Sequence, residues 1–235
     1  RVARGRAGMI PIRDENPTTL VPWVTIGLIA ANLLAFLFEL SLGERLRPFL
    51  DQFGATPARL LLSGPVGEQG PPAAVTVFSS MFLHGGVLHV GGNMLYLWIF
   101  GNNVEDALGH VRYLFFYLIS GVVAVYAHAA TEPSSAMPMI GASGAISGVL
   151  GAYLVLFPRA RVLTLVPFGL FLQLIRVPAV FVLGFWIVLQ LLAGVLSRGT
   201  PGGGVAWFAH VGGFLAGVVL VRLLVRRDFK PQVRS

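Results

Sequence analysis

Stretches of about 20 mostly apolar residues, each long enough to cross the hydrocarbon core of a bilayer as a helix, recur along the chain. They fall at roughly 21–42, 83–105, 111–130, 141–157, 178–197 and 205–226. The pattern predicts six transmembrane helices, the second and fourth interrupted by glycines. Between the first two, segment 43–77 mixes charges with the apolar patch Leu60-Leu61-Leu62. That mixture predicts a structured loop lying at the membrane interface. Residues 21–226 then form one six-helix domain, flanked by an N-terminal tail at 1–20 and a C-terminal tail at 227–235.

Composition supports this reading. Hydrophobic residues make up 55% of the chain and charged residues only 11%, whereas soluble domains average about 25% charged. The sequence is that of an integral, multi-pass membrane protein. Its net charge of +7 reports orientation better than nucleic-acid binding, because the basic residues gather in tails and loops. Thirteen of the seventeen are Arg1, Arg4, Arg6, Arg13, Arg112, Arg159, Arg161, Arg176, Arg222, Arg226, Arg227, Lys230 and Arg234, all on one side of the six-span arrangement. The other side has Arg45, Arg47, Arg59 and Arg198. Both termini are therefore expected in the cytoplasm or its topological equivalent, with a bacterial-type plasma membrane as the expected location. There is no cysteine, which excludes disulfides and thiolate metal sites. The first thirteen residues carry four arginines and no apolar core, unlike a cleavable signal peptide. A chain that begins at Arg1 is expected to be a trimmed piece of a longer protein.

With this orientation, spans two, four and six all begin on the non-cytoplasmic side. His89 and Asn93 lie in the early turns of span two, Ser143 opens span four, and His210 lies early in span six. At 1.5 Å per residue, these four fall within roughly 10 Å of the same outer surface. Polar residues at membrane depth are costly and mark functional sites. Singly, each has a bland reading: a serine bonded to its own helix, a satisfied core histidine, an asparagine holding two helices together. Their coincidence at one depth on three co-directional spans points to one site.

The chemistry these residue types suit is acyl transfer. Hydrolysis by a serine needs a base for the hydroxyl proton and donors for the developing oxyanion. His210 is the only histidine of span six and the natural base for Ser143. No carboxylate lies near it in sequence, so a Ser–His dyad is expected, with the imidazole oriented by packing. His89 and Asn93, spaced i, i+4, share a helix face and suit an oxyanion hole. The N-terminus of span four adds backbone donors at Ser143. His84 is expected to hold the outer loop. Gly144, Gly148 and Gly151 on span four and Gly213 and Gly217 on span six would let the two backbones approach closely enough for the Ser–His contact. A metal site built from His84, His89 and His210 lacks an acidic partner, and the i, i+5 spacing splays the first two. Glu105 and Asp106, at the cytoplasmic end of span two, are expected to pair with local arginines. A channel or transporter would spread polar residues through the bilayer, whereas the cytoplasmic halves of spans two, four and six are almost wholly apolar.

These motifs resemble those of the rhomboid intramembrane serine proteases. His84, His89 and Asn93 match the family's histidine–x4–histidine–x3–asparagine pattern. Gly141-Ala142-Ser143-Gly144 matches its G-x-S-G nucleophile motif, and Ala209-His210 followed by Gly213 and Gly217 matches its base motif. The likeness runs from span one to span six. It implies an all-α, six-helix bundle, cleavage of transmembrane protein substrates and no cofactor. It also implies that span five and the cap loop after it gate substrate access, with Phe181, Phe185 and Trp186 as candidate gate residues. An inactive rhomboid-like protein that only binds membrane clients is disfavoured by the intact Ser143 and His210. Two positions depart from the family. The tyrosine on which the histidine commonly stacks is Ser147 here, and the Trp-Arg pair of the first loop is replaced by Val75-Thr76. Ring orientation must then come from elsewhere, such as glycine packing or Phe214, and the loop must be anchored differently.

Overall fold

A computed structural model of the chain describes residues 9–62, 70–168, 171–197 and 205–230. Helices stand where the apolar stretches predict them: α1 (Trp23–Ser41), α5 (Val87–Leu108), α6 (His110–Thr131), α7 (Ser143–Leu156), α8 (Ala179–Leu196) and α9 (Trp207–Leu224). Three short helices, α2 (Leu46–Phe53), α3 (Pro57–Leu61) and α4 (Ala73–Ser79), occupy the first loop. Among the described residues, four helices (α1, α6, α8 and α9) are long and apolar enough to span a membrane. α5 qualifies together with the segment before it, Ala73–Phe82, from which it bends by 82°. The shorter α7 has 14 residues and rises about 21 Å, less than the roughly 30 Å hydrocarbon core. Exposed Leu34, Leu37 and Leu40 on α1, and Leu192 and Val195 on α8, give the bundle an apolar exterior suited to lipid rather than water.

α7 is the axis of the bundle. Every residue from Gly144 to Tyr153 is buried, and small side chains let the neighbouring backbones close in. A Cβ added at Gly217 would collide with the carbonyl oxygen of Gly148, one at Gly213 with that of Gly144, and one at Gly151 with that of Phe214. α7 and α9 therefore touch main chain to main chain. α6 packs against both of these helices: a Cβ at Gly144 would lie 2.7 Å from the Cβ of Ala124, and one at Gly212 would collide with the Cβ of Ala127.

Buried carboxylates tie α1 and the segment before it to α5. Glu105 accepts from the N–H groups of Val24 (2.9 Å) and Thr25 (2.8 Å), from the Thr25 hydroxyl (2.7 Å) and from His110 Nδ1 (2.6 Å). Asp106 accepts from the Thr19 N–H and hydroxyl and from the Leu20 N–H. The expected pairing of these two acids with arginines is thus corrected. Their charges meet the unsatisfied amides at the start of α1, where a helix favours anions. At the other end of α1, Glu39 accepts from the His84 N–H.

To the helical bundle the structure adds a small antiparallel sheet in the order β1-β2-β3. β1 (Ile10–Asp14) comes from the N-terminal segment, and β2 (Arg161–Phe168) and β3 (Phe171–Pro178) from the connection between α7 and α8. Asp14 anchors β1, accepting from Asn103 Nδ2 (2.6 Å) on α5 and from the Tyr153 hydroxyl (2.9 Å) on α7. Arg13, Arg112, Arg161, Arg176 and Arg226 gather at this sheet-bearing end. Ser143 and His210 stand at the starts of helices that run toward it. The arginines at 1, 4, 6, 198 and 234 lie outside the described residues. The first loop is held by an Ala55–Met139 bridge, by the Ser79 hydroxyl donating to the Phe53 carbonyl (2.6 Å), and by Arg59 donating to the carbonyls of Gln52 and Pro71. Leu61 and Leu62 remain exposed there.

Two outcomes follow from this architecture. Gly217→Ala forces a Cβ into main chain and should cost about 1–3 kcal/mol or more, read as a lowered unfolding temperature in detergent. Gly184→Ala on α8, where no atom lies within 4 Å of an added Cβ, should leave that temperature unchanged. Burial raises the Asp14 carboxyl from 3.8 to about 6, against the lowering effect of its bonds from Tyr153 and Asn103. The folded state then binds this proton more tightly than the unfolded state does. Docking of β1 should strengthen as pH falls through 6 and level off below the unfolded value. Hydrogen exchange at the β1 amides, corrected for intrinsic rate, should show on the order of tenfold more protection at pH 5 than at pH 7. Asp14→Asn should remove the dependence.

Candidate active site

Ser143 is the first residue of α7, following Ala142 at the cap position. The turn into the helix depends on Gly141, whose φ of +123° is one that L side chains rarely adopt. Its N–H donates to the Ser80 carbonyl at 2.8 Å, and an added Cβ would lie 2.7 Å from His89 Nε2. Position 141 has no space for a side chain. The first amides of α7 have no partner within the helix, so the Ser143 hydroxyl stands beside backbone donors.

His210 lies in the first turn of α9. Its Nε2 is 2.8 Å from Ser143 Oγ, a distance set by the Gly144–Gly213 backbone contact one turn deeper. Ser147 does not reach the ring: its hydroxyl donates to the Ser143 carbonyl at 2.6 Å. Two tryptophans flank the imidazole instead. Trp186 of α8 lies with its ring centroid 5.9 Å away at 37°, and Trp207 meets it edge-on at 6.2 Å. Phe214 contacts Trp186 at 6.3 Å. The second ring nitrogen, Nδ1, is 2.7 Å from Gln190 Oε1.

His89 and Asn93 face Ser143 across a cavity of about 380 Å³. Polar groups from α5, α7, α8 and α9 converge there, with Leu88, Ile146, Leu150 and Trp186 among the apolar lining. The Gly85 N–H donates to His89 Nδ1 at 3.3 Å, which leaves Nε2 as the protonated nitrogen. Asn93 is 8% exposed, and its side-chain nitrogen is buried without a protein acceptor. A buried donor of that kind costs free energy unless a ligand meets it. His84 is buried behind His89, with ring centroids 5.1 Å apart at 69°, and its N–H is the one held by Glu39.

Of the residues expected at the site, the structure brings together Ser143, His210, His89, Asn93, Gly141, Gly144 and Gly213. Gly217 lies one turn deeper on α9, and His84 lies behind the cavity wall. Of the gate residues, only Trp186 faces the cavity. Phe181 and Phe185 turn outward, 65% and 45% exposed. The loop expected to cap the site, at 198–204, lies outside the described residues, and Val205 and Ala206 after it border the cavity. Sequence reasoning missed Gln190 and Trp207. Gln190 carried a signal, as a lone amide in an otherwise apolar span. So did Trp207, three residues before the histidine on the same helix face.

The arrangement places a hydroxyl, a base and converging donors in one pocket, which suits acyl transfer. A family profile described as the Rhomboid domain matches residues 71–227. RHOMBOID-like protein 5 of Arabidopsis thaliana is 32% identical over 180 residues, covering 77% of this chain and 51% of that protein. The human presenilin-associated rhomboid-like protein, mitochondrial, is 27% identical over 219 residues, covering 88% and 51%. Rhomboid protein 1, mitochondrial, of Saccharomyces cerevisiae is 29% identical over 151 residues, covering 62% and 40%. The chain spans about half the length of the first two relatives and less of the third.

Proposed function

The chain belongs to the rhomboid family, generally intramembrane serine proteases, and we propose that it is a serine endopeptidase cleaving transmembrane protein substrates. The observation that carries this reading is the 2.8 Å contact between Ser143 Oγ and His210 Nε2. Ser143 Oγ attacks the scissile carbonyl while His210 Nε2 takes the hydroxyl proton. The oxyanion that forms is met by Asn93 Nδ2, His89 Nε2 and the Ser143 backbone N–H. The imidazolium returns its proton to the departing amine, and water then hydrolyses the acyl-enzyme by the same route.

Residues 21–226 form the proposed protease domain, with β1 docked onto it. Both termini face the cytoplasm or its topological equivalent, which puts cleavage near the opposite membrane face. The mitochondrial relatives do not support the bacterial-type plasma membrane expected from the sequence. A transmembrane helix satisfies its own backbone and shields its peptide bonds. Substrate must therefore unwind locally, and Gly, Pro or polar residues near the scissile bond favour that. Ala142, Gly144 and Ala145 around the nucleophile favour a small side chain beside it. Access is sideways from lipid between α5 and α8, whose residues line opposite walls of the cavity.

A fluorophosphonate probe should label the detergent-solubilised protein, and Ser143→Ala should abolish both labelling and cleavage. His210→Ala should cost about as much as the double variant, because the pair acts as a unit. Asn93→Ala and His89→Ala should lower kcat by on the order of 10²–10³, and a change confined to KM would place them in substrate binding instead. Trp186→Leu should widen the cavity wall on the α8 side. The ratio of kcat/KM for a transmembrane substrate to that for a soluble peptide should rise. Any disturbance of the His210 ring affects both substrates and cancels in that ratio, so an unchanged ratio would count against lateral access.

A further inference from the structure

Gln190 sits in the middle of α8, 8% exposed, among side chains that are otherwise apolar or tryptophan. Its Oε1 lies 2.7 Å from His210 Nδ1. On the dyad reading given above, we propose that Gln190 is the positioning residue of the base, a neutral third member supplied by the gate helix.

A neutral imidazole carries one proton, and the nitrogen that holds it decides whether the ring can act as a base toward Ser143. A carbonyl oxygen only accepts, so Oε1 beside Nδ1 places the proton on Nδ1. That leaves Nε2 with a free lone pair, 2.8 Å from Ser143 Oγ. The opposite end of the amide would donate to Nδ1, put the proton on Nε2 and disable the base. The bond also strengthens as the ring becomes charged, because a hydrogen bond with an ionised partner is stronger than a neutral one. Its effect therefore falls on the transition state rather than on substrate binding.

An amide suits the location better than the carboxylate found in soluble triads. An ionised group at this depth carries a large desolvation cost, whereas an amide offers the same acceptor without charge. Trp186, four residues earlier on the same face of α8, packs against the same imidazole. The two side chains hold the ring from α8 by contact and by hydrogen bond, the task that Ser147 cannot perform. The position of α8 thereby sets the competence of the base. Among the described residues, the other titratable side chains near His210 are His89 of α5 and His128 of α6.

The test compares Q190M, which keeps length and loses the acceptor, with Q190E, which restores it, in the full chain in detergent, with S143A and H210A as controls. Q190M should lower kcat and the rate of fluorophosphonate labelling by about tenfold, the scale of one lost hydrogen bond, with KM unchanged. Q190E should recover most of that loss. Nitrogen-15 spectra of labelled histidine should show a single protonated Nδ1 on His210 in the parent and mixed tautomers in Q190M. Parental kcat and a parental histidine spectrum in Q190M, with both controls inactive, would overturn this inference and leave the dyad standing. Equal impairment of Q190M and Q190E with a lowered unfolding temperature would make Gln190 a structural residue and also overturn it. Activity in S143A or H210A would remove the reading on which the inference rests.

Discussion

The main-chain contact between α7 and α9 is the constraint on which the rest depends. Helices in globular proteins usually pack 8–10 Å apart with side chains between them. Here Gly213 sits against the Gly144 carbonyl and Gly217 against that of Gly148. Lipid supplies no hydrophobic drive to press helices together, so dispersion contact between bare backbones must hold them. Gly144 on α7 and Gly212 on α9 likewise let α6 close on both helices. Four small residues thus determine both the stability of the bundle axis and the Ser143–His210 distance.

The elements around that axis are held by different forces, and the difference has a functional meaning. α1 is fastened at both ends by buried carboxylates, Glu105 and Asp106 at its start and Glu39 near its finish. In a low-dielectric setting such charge-assisted bonds are strong and expensive to break. Among the described residues, α8 has no comparable anchor within the bundle. Its ties at the depth of the site are Trp186 and Gln190 reaching the His210 ring. α8 also buries Ala179, Val182 and Leu183 in the core, but among the described residues its polar tie at this depth is one neutral hydrogen bond, cheaper to break than the carboxylate bonds of α1.

Much of this was legible in the sequence because two signals survive translation into three dimensions. Apolar length located all six helices to within a few residues, as at 21–42 against Trp23–Ser41 and 111–130 against His110–Thr131. Depth, counted from the predicted membrane face, brought His89, Asn93, Ser143 and His210 together although 121 positions separate the first from the last. What failed depended on partners distant in the chain. Glu105 and Asp106 looked like partners for nearby arginines because the amides that bind them lie 80 or more residues earlier. β1 looked like a tail because its pairing strand lies beyond residue 160. Gln190 was hidden by the apolar run that carries it, since a span is recognised by averaging and averaging erases a single amide.

The departure at Ser147 then has a physical reading. A histidine base at a helix N-terminus must be kept from rotating about its own side-chain bonds. A tyrosine on α7 would do this by stacking, from a helix that cannot move. With Ser147 committed to the Ser143 carbonyl, the ring is clamped instead between Trp207 on its own helix and Trp186 on α8. Part of the support for the base has passed from α7 to α8. On the mechanism proposed above, a substrate that displaces α8 in reaching the cavity must leave Trp186 and Gln190 able to close again on the imidazole before the serine is deprotonated. Access and activation therefore become linked through one side of one helix. A base stacked on the axis would not impose that linkage.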